Sequence, residues 1–224
     1  MKGKQLSVMS ITSDTTYIDS GGEHCDPQDV VHELKNGLQR FLAGQSAHPH
    51  ATVARRHQLA GGQHPQVAVL TCSDSRVPVE VIFDAGFGDL FVIRNAGNTN
   101  TFGSAGSIEY AVEDLGVSVL LVMSHQGCGA VKAAYLKEQN FSPSLSELVS
   151  DIKSGLNDNG FRTEDPKTYE EACLAHSRIT ADALVKGSDV IRDAVSSKSL
   201  LVQPAFLHID PLDITWLDPL YGSD

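Results

Sequence analysis

Three short apolar runs dominate the middle of the chain, at Val67–Thr71, Leu90–Ile93 and Val117–Met123. Each run is continuous rather than alternating, which is typical of strands buried on both faces of a parallel sheet. A helical pattern over Ser104–Leu115, ended by Gly116, lies between the second and third runs. This β–α–β order predicts an α/β fold with a central, mainly parallel β-sheet flanked by helices.

An extended N-terminal helix is predicted ahead of the first strand, over residues 26–43. Asp26 suits its cap and Pro27 suits its first turn. Apolar residues recur along it at helical spacing, namely Val30, Val31, Leu34, Leu38, Phe41 and Leu42. A shorter helix is predicted over residues 51–60, because the pair Gly61-Gly62 ends the pattern.

The C-terminal third has weaker patterns. Helices are predicted over residues 130–139, 145–152, 169–184 and 190–195, with a polar loop over 157–167. Short strands are predicted at 200–202, 206–209 and 214–217, at a sheet edge because Pro204, Pro211 and Pro219 suit an edge better than a centre. We expect residues 25–224 to form a single domain. Residues 1–24 are polar, without the apolar stretch of a secretory signal, and are predicted to be a disordered tail.

Charge and composition exclude some classes of partner. Seventeen basic residues against 28 acidic ones give a net charge of −11, which argues against a nucleic acid and against an anionic membrane surface. No apolar run approaches the roughly 20 residues that a membrane span requires. The chain is therefore expected to be a globular protein of the cytoplasm, with an organelle such as a plastid as the alternative.

The chain has four cysteines, Cys25, Cys72, Cys128 and Cys173. Without an export signal we expect reduced thiols, which are available as metal ligands. Cys25 and Cys173 each have a histidine nearby, but packed thiols are the favoured interpretation of both.

Two motifs carry candidate chemistry, and each directly follows a predicted strand. They are Cys72-Ser-Asp-Ser-Arg76 and His125-Gln-Gly-Cys-Gly129. Carboxyl ends of parallel strands gather the sites of open α/β sheets, so the two motifs should converge. Two thiolates and one imidazole suit zinc, and a three-ligand set leaves a fourth position open for catalysis.

Each motif alone would favour an ordinary buried thiol or histidine, and Asp74 with Arg76 changes that balance. A carboxylate two residues from a ligand can occupy the fourth metal position or orient a metal-bound water. An arginine that holds the carboxylate on two hydrogen bonds favours the second outcome.

Together the motifs resemble the β-class carbonic anhydrases. Phe91–Asn98 resembles that family's strand and loop, Ser107–Val112 resembles the helix that follows, and the match runs from about residue 63 to 136. The resemblance implies one Zn²⁺ per chain, held by Cys72, His125 and Cys128. It also implies Asp74 and Arg76 as a hydrogen-bonded pair, and reversible hydration of carbon dioxide to bicarbonate and a proton by attack of zinc-bound hydroxide.

Within the family the resemblance favours the plant-like group, whose site stays open to water. That group has a glutamine nine residues before the first cysteine, as Gln63 is here. Phe91 and Tyr110 match its pocket residues for carbon dioxide, while Ala96 stands where a valine is frequent, which predicts a slightly roomier pocket. The other group uses a tryptophan in a regulatory bicarbonate pocket, and the single tryptophan here, Trp216, lies near the wrong end of the chain.

The resemblance also implies roles around the substrate and a homodimer or homotetramer. Gln63 would donate a hydrogen bond to a substrate oxygen, and the backbone N–H of Gly129 would stabilise developing negative charge. Two alternatives stay open, which are a carbon disulfide or carbonyl sulfide hydrolase on the same fold and a zinc-bearing homologue without catalysis.

Overall fold

The computed structural model describes residues 25–135, 140–161, 165 and 168–222. The tail predicted for residues 1–24, the end of the helix predicted over 130–139, and most of the second half of the predicted loop 157–167 lie outside the described residues.

A five-stranded sheet in the order β2-β1-β3-β4-β5 forms the centre of the fold. The strands are β1 Val67–Cys72, β2 Leu90–Asn95, β3 Val119–His125, β4 Leu201–Ile209 and β5 Leu212–Trp216. The first four in the sheet order pair in parallel and β5 pairs antiparallel with β4. The predicted α/β fold with a mainly parallel sheet is thus confirmed.

Helices cover both faces of the sheet. They are α1 Pro27–Leu42, α2 Val53–Gln58, α3 Val79–Ile82, α4 Phe102–Glu113, α5 Gly129–Ala134, α6 Pro143–Asp158, α7 Tyr169–Gly187 and α8 Asp189–Ser196, with 3₁₀ turns at Leu59–Gly61 and Ala96–Asn98. The Asp26 side chain caps α1 by accepting from the Gln28 N–H, as predicted. None of the helices in the described part has both the length and the apolar content of a membrane span.

The apolar core lies in two layers because successive side chains of a strand point to opposite faces. Residues such as Val69 and Leu121 face α1 and α3, where Leu34 packs. Residues such as Leu70 and Val122 face α4, α7 and α8. β1 and β3 are buried along their whole lengths, which agrees with their continuous apolar runs.

The structure of β4 differs from the prediction, which gave two short strands at a sheet edge. β4 is one strand of nine residues that runs through Pro204 and lies inside the sheet, and β5 forms the edge. The Pro204 carbonyl accepts from Leu217 N–H on the β5 side. The missing N–H of Pro204 therefore also faces that side, just before the β5 ladder begins at Ala205, so the β3 ladder is not interrupted.

The structure of β2 also differs from the prediction, which gave a strand buried on both faces. β2 is half-buried, with Arg94 exposed, because it lies at the other edge of the sheet. Its apolar run resembles those of β1 and β3, so composition alone does not separate an edge strand from a central one.

Candidate metal centre

Three metal-ligating side chains meet at the carboxyl end of the sheet. Cys72 is the last residue of β1, His125 is the last residue of the neighbouring parallel strand β3, and Cys128 follows one turn later. Their ligand atoms all lie within 4.8 Å of one another, and all three residues are buried. The structure therefore brings together the three residues that the two motifs predicted as ligands.

The His125 ring is oriented with one nitrogen towards this cluster. Its Nδ1 lies 2.9 Å from the Gln126 carbonyl, and a carbonyl only accepts, so Nδ1 carries the proton and Nε2 has the lone pair. Within the described part, Nε2 is buried without a hydrogen-bond partner. β4 fixes the turn, because Gln126 Oε1 accepts from Ile209 N–H at 3.0 Å. A buried, unpartnered imidazole nitrogen beside two thiols fits a zinc ion.

The two thiols are electrostatically coupled. A hydrogen bond from Cys128 lowers the pKa of Cys72 to about 4, while the same bond and burial raise the pKa of Cys128. Burial alone would lower the pKa of His125, but the nearby Cys72 sulfur and its negative charge outweigh burial and raise that pKa. Cys72 is thus the thiol that ionises more readily, and a bound cation would favour ionisation of both.

Asp74 lies beside the cluster and is held by Arg76. The guanidinium donates from Nε to Asp74 Oδ1 at 2.9 Å and from one terminal nitrogen to Oδ2 at 2.8 Å. The Arg76 hydrogen bond keeps the pKa of Asp74 well below its usual range. Asp74 Oδ2 lies 3.9 Å from His125 Nε2, so the carboxylate that Arg76 keeps charged lies directly beside the cluster.

Arg94 holds the backbone of the segment from Cys72 to Asp74. Nothing in its sequence context had indicated this role. Its Nε donates to the Cys72 carbonyl at 3.1 Å and a terminal nitrogen donates to the Asp74 carbonyl at 2.8 Å. It lies on β2 opposite Thr71 of β1. Backbone acceptors have no sequence signature, so only the position of Arg94 within the matched segment Phe91–Asn98 could have drawn attention to it.

The predicted pocket residues fall into two groups. Ala96 and Gly129 lie near the cluster, because Ala96 follows the register partner of Cys72 and Gly129 follows Cys128. Phe91 lies four positions before that register partner, about 13 Å away along the strand. Tyr110 lies beside Phe91, with ring centroids 6.1 Å apart.

Gln63 lies just before the amino end of β1. That end of the strand is five residue steps, or about 16 Å, from Cys72. Gln63 lines an open cleft of about 970 Å³ together with Val53 and other residues of α2, and with Phe87 from the segment just before β2. One chain thus does not bring Gln63, Phe91 or Tyr110 to its own metal ligands.

Cys25 and Cys173 are not part of this cluster. Among the described residues, the one group of metal-ligating side chains close enough to share an ion is Cys72, His125 and Cys128. Cys173 packs in the apolar cluster beside α6 and α7, and burial raises its pKa to about 11. It has the properties of a packed thiol.

Comparison with known proteins identifies the family. The family model described as carbonic anhydrase matches residues 67–211. Carbonic anhydrase 2 of Mycobacterium tuberculosis is 50% identical over 179 residues, which cover 79% of this chain and 86% of that protein. The matched region contains all three clustered ligands together with Asp74 and Arg76.

Solved structures agree with this. The β-carbonic anhydrase CcaA has a TM-score of 0.66 at 25% identity, covering 88% of this chain and 93% of that one. A tetrameric β-carbonic anhydrase of Sordaria macrospora has the same fold, with a TM-score of 0.61 at 24% identity over 85% of this chain and 96% of that one. The chain therefore belongs to the carbonic anhydrase family and is an enzyme of its β class.

Proposed function

We propose that the chain catalyses the reversible hydration of carbon dioxide to bicarbonate and a proton, with one zinc ion held by Cys72, His125 and Cys128. The observation that carries this proposal is the position of Asp74. Its carboxylate is fixed by Arg76 and lies 3.9 Å from the unpartnered His125 Nε2. A charged acceptor beside a three-ligand set would suit the orientation of a water on a zinc ion held there.

Zinc, when bound, supplies a hydroxide nucleophile by lowering the pKa of a coordinated water from 15.7 towards about 7. The protein residues supply orientation. Asp74 accepts a hydrogen bond from the nucleophile and so directs the nucleophile's lone pair towards the carbon. Arg76 holds Asp74 in that direction, and the N–H of Gly129, the residue after Cys128, would stabilise charge on a substrate oxygen.

We also propose the open type of site. The two hydrogen bonds from Arg76 occupy both oxygens of Asp74. This two-point pairing fixes the direction of the carboxylate, which supports a role as hydrogen-bond acceptor rather than as a fourth ligand. Gln63, characteristic of the plant-like group, is consistent with the same type.

We expect the rate to rise with pH through the alkaline range, with one zinc per chain. Two thiolates donate more charge to the metal than imidazoles would, so the activating pKa should lie above about 7. Stopped-flow carbon dioxide hydration against pH, with zinc measured on the same sample, checks this. A cooperative loss of activity below about pH 8 would contradict the open site, and a zinc-loaded chain without turnover would favour the non-catalytic alternative.

The substrate panel of that assay should include carbon disulfide and carbonyl sulfide. Hydrolysis of either at a rate above carbon dioxide hydration would favour the rival activity. The identity to named carbonic anhydrases supports carbon dioxide instead.

A second copy of the chain completes the substrate pocket in our proposal. Gln63, Phe91 and Tyr110 lie away from the ligands of their own chain, yet they are the predicted pocket residues. Tyr110 is 48% exposed and lies beside the edge strand β2. The Sordaria macrospora relative is a tetramer. We therefore infer a homodimer or homotetramer in which each copy supplies these side chains to its neighbour.

Mixing two inactive variants tests this arrangement. Chains with Cys72→Ser lack a metal site, and chains with Gln63→Ala lack the donor. Refolded together, they should regain activity, because a mixed dimer holds one intact site built from both partners. The matched control mixes Cys72→Ser with Asp74→Asn, whose defects both lie at the metal, and should regain none. Equal activity in the two mixtures would overturn the shared pocket without touching the hydration proposal.

A further inference from the structure

His176 is a buried histidine of α7 outside the predicted site. Its Nε2 lies 2.7 Å from the Gly97 carbonyl, and since a carbonyl only accepts, Nε2 carries the proton. Its Nδ1 is buried without a partner among the described residues. Burial lowers the pKa of His176, so the ring is neutral. A buried ring nitrogen without a hydrogen-bond partner lowers the stability of the fold, and an apolar side chain would pack here without that cost. The single hydrogen bond that His176 does make therefore needs an explanation.

The partner of that bond, Gly97, is tightly confined. Its φ is +73°, a left-handed conformation that favours glycine. A Cβ at this position would lie 2.8 Å from Ile152 Cδ1 and 2.9 Å from Ala130 Cβ. The residue therefore fits between α5 and α6 only without a side chain.

Gly97 in turn contacts the metal cluster. Its N–H donates to Cys72 Sγ at 3.3 Å. The Gly97 carbonyl, bonded to His176, and the Gly97 N–H, bonded to Cys72, are separated by one Cα. Because Gly97 is also confined between Ile152 and Ala130, holding its carbonyl restricts the backbone torsions that set the direction of its N–H.

We propose that His176 is a positioning residue, which holds Gly97 so that its N–H donates to the Cys72 sulfur and so tunes that sulfur as a ligand. The inference rests on the proposed function insofar as Cys72 binds zinc. An N–H···S hydrogen bond withdraws charge from a thiolate, and partners of this kind around metal ligands are worth about 10–100-fold in metal affinity. Helix α7, which is distant in sequence from Cys72, thus acts on this proposed metal ligand through one glycine.

Three variants test the inference. His176→Leu removes the donor and fills the space, and His176→Gln restores an N–H donor near the position of Nε2. Ser177→Ala is the matched control, because Ser177 is equally buried on α7 but its hydroxyl donates to Leu174 of the same helix. Zinc affinity is measured by chelator competition, and the sulfur-to-metal charge-transfer absorption is measured after substitution with Co²⁺.

His176→Leu should bind zinc about 10–100-fold more weakly, because the Cys72 sulfur is no longer held in place by its outer partners. It should also shift the Co²⁺ charge-transfer band to longer wavelength, because a sulfur that has lost its N–H donor keeps more charge. His176→Gln should restore most of both, and Ser177→Ala should change neither. If His176→Leu lowers only the thermal midpoint and leaves band and affinity unchanged, His176 is a packing residue and the inference is wrong. If the unmodified chain does not bind zinc, the proposed function itself fails, which is a separate outcome.

Discussion

Replacing His125 with alanine should remove zinc and carbon dioxide hydration together. Of the three ligand atoms within 4.8 Å of one another, His125 supplies the one that is neutral in the ligating form. Without it, two sulfurs remain in a buried space that was shaped for three donors. A catalytic metal contributes several kcal/mol to the transition state, so hydration should fall by at least about a thousandfold.

Zinc content and hydration rate on the same purified protein check this prediction, with Cys72→Ser as a second ligand variant that should behave alike. Cys25→Ser is the control, because Cys25 is a partly buried thiol that packs against the core layer between α1 and the sheet. It should keep one zinc and full activity. A His125→Ala chain that retains stoichiometric zinc would show that the ion binds elsewhere.

Replacing Asp74 with asparagine should leave zinc in place and remove most of the turnover. Asparagine has nearly the same shape, but one oxygen becomes an amide N–H₂ that donates where the nucleophile needs an acceptor. Loss of a positioned proton acceptor typically costs about 10²–10⁴-fold in rate. The expected result is a drop of that size in kcat with unchanged zinc.

Glu80→Gln provides the matched control, since Glu80 is an exposed carboxylate of α3 and its loss changes net charge by the same amount. Stopped-flow hydration and metal analysis on both variants separate a local role from a general charge effect. Full activity of Asp74→Asn would contradict the orienting role of the carboxylate.

The pairing of Asp74 with Arg76 should also hold over the whole working pH range. The folded pKa of Asp74 lies below its unfolded value. Its contribution to stability is therefore present above the unfolded pKa and is lost only as pH falls through the folded one. Arg76 is 51% exposed, so the pair matters for direction more than for stability.

The metal cluster could be predicted from the sequence because its signals are local. Cys72 and His125 directly follow continuous apolar runs, and parallel strands place their carboxyl ends together. The same rule predicted the fold class. β4 was not predicted as one strand, because a proline interior to a run normally ends it, and only the register with β5 shows that Pro204 loses no ladder bond.

The supporting residues could not be predicted for a different reason. Arg94 and His176 act on the site through backbone carbonyls, and His176 meets Gly97 across 79 positions of sequence. Neither contact leaves a spacing or a residue pattern. Likewise, the sequence places Gln63 shortly before the strand that ends at Cys72 but does not say which copy of the chain it serves.

The position of the ligands at the ends of β1 and β3 has a consequence for how the enzyme acquires its metal. Cys72 and His125 are more than fifty residues apart in the chain, joined by β2 and the α4 crossover. An unfolded chain holds these donors far apart, so tight capture of the ion must wait until β1 and β3 have paired. In the proposed zinc enzyme, folding would thus come before tight metal binding, and the ion would then stabilise the folded chain by mass action.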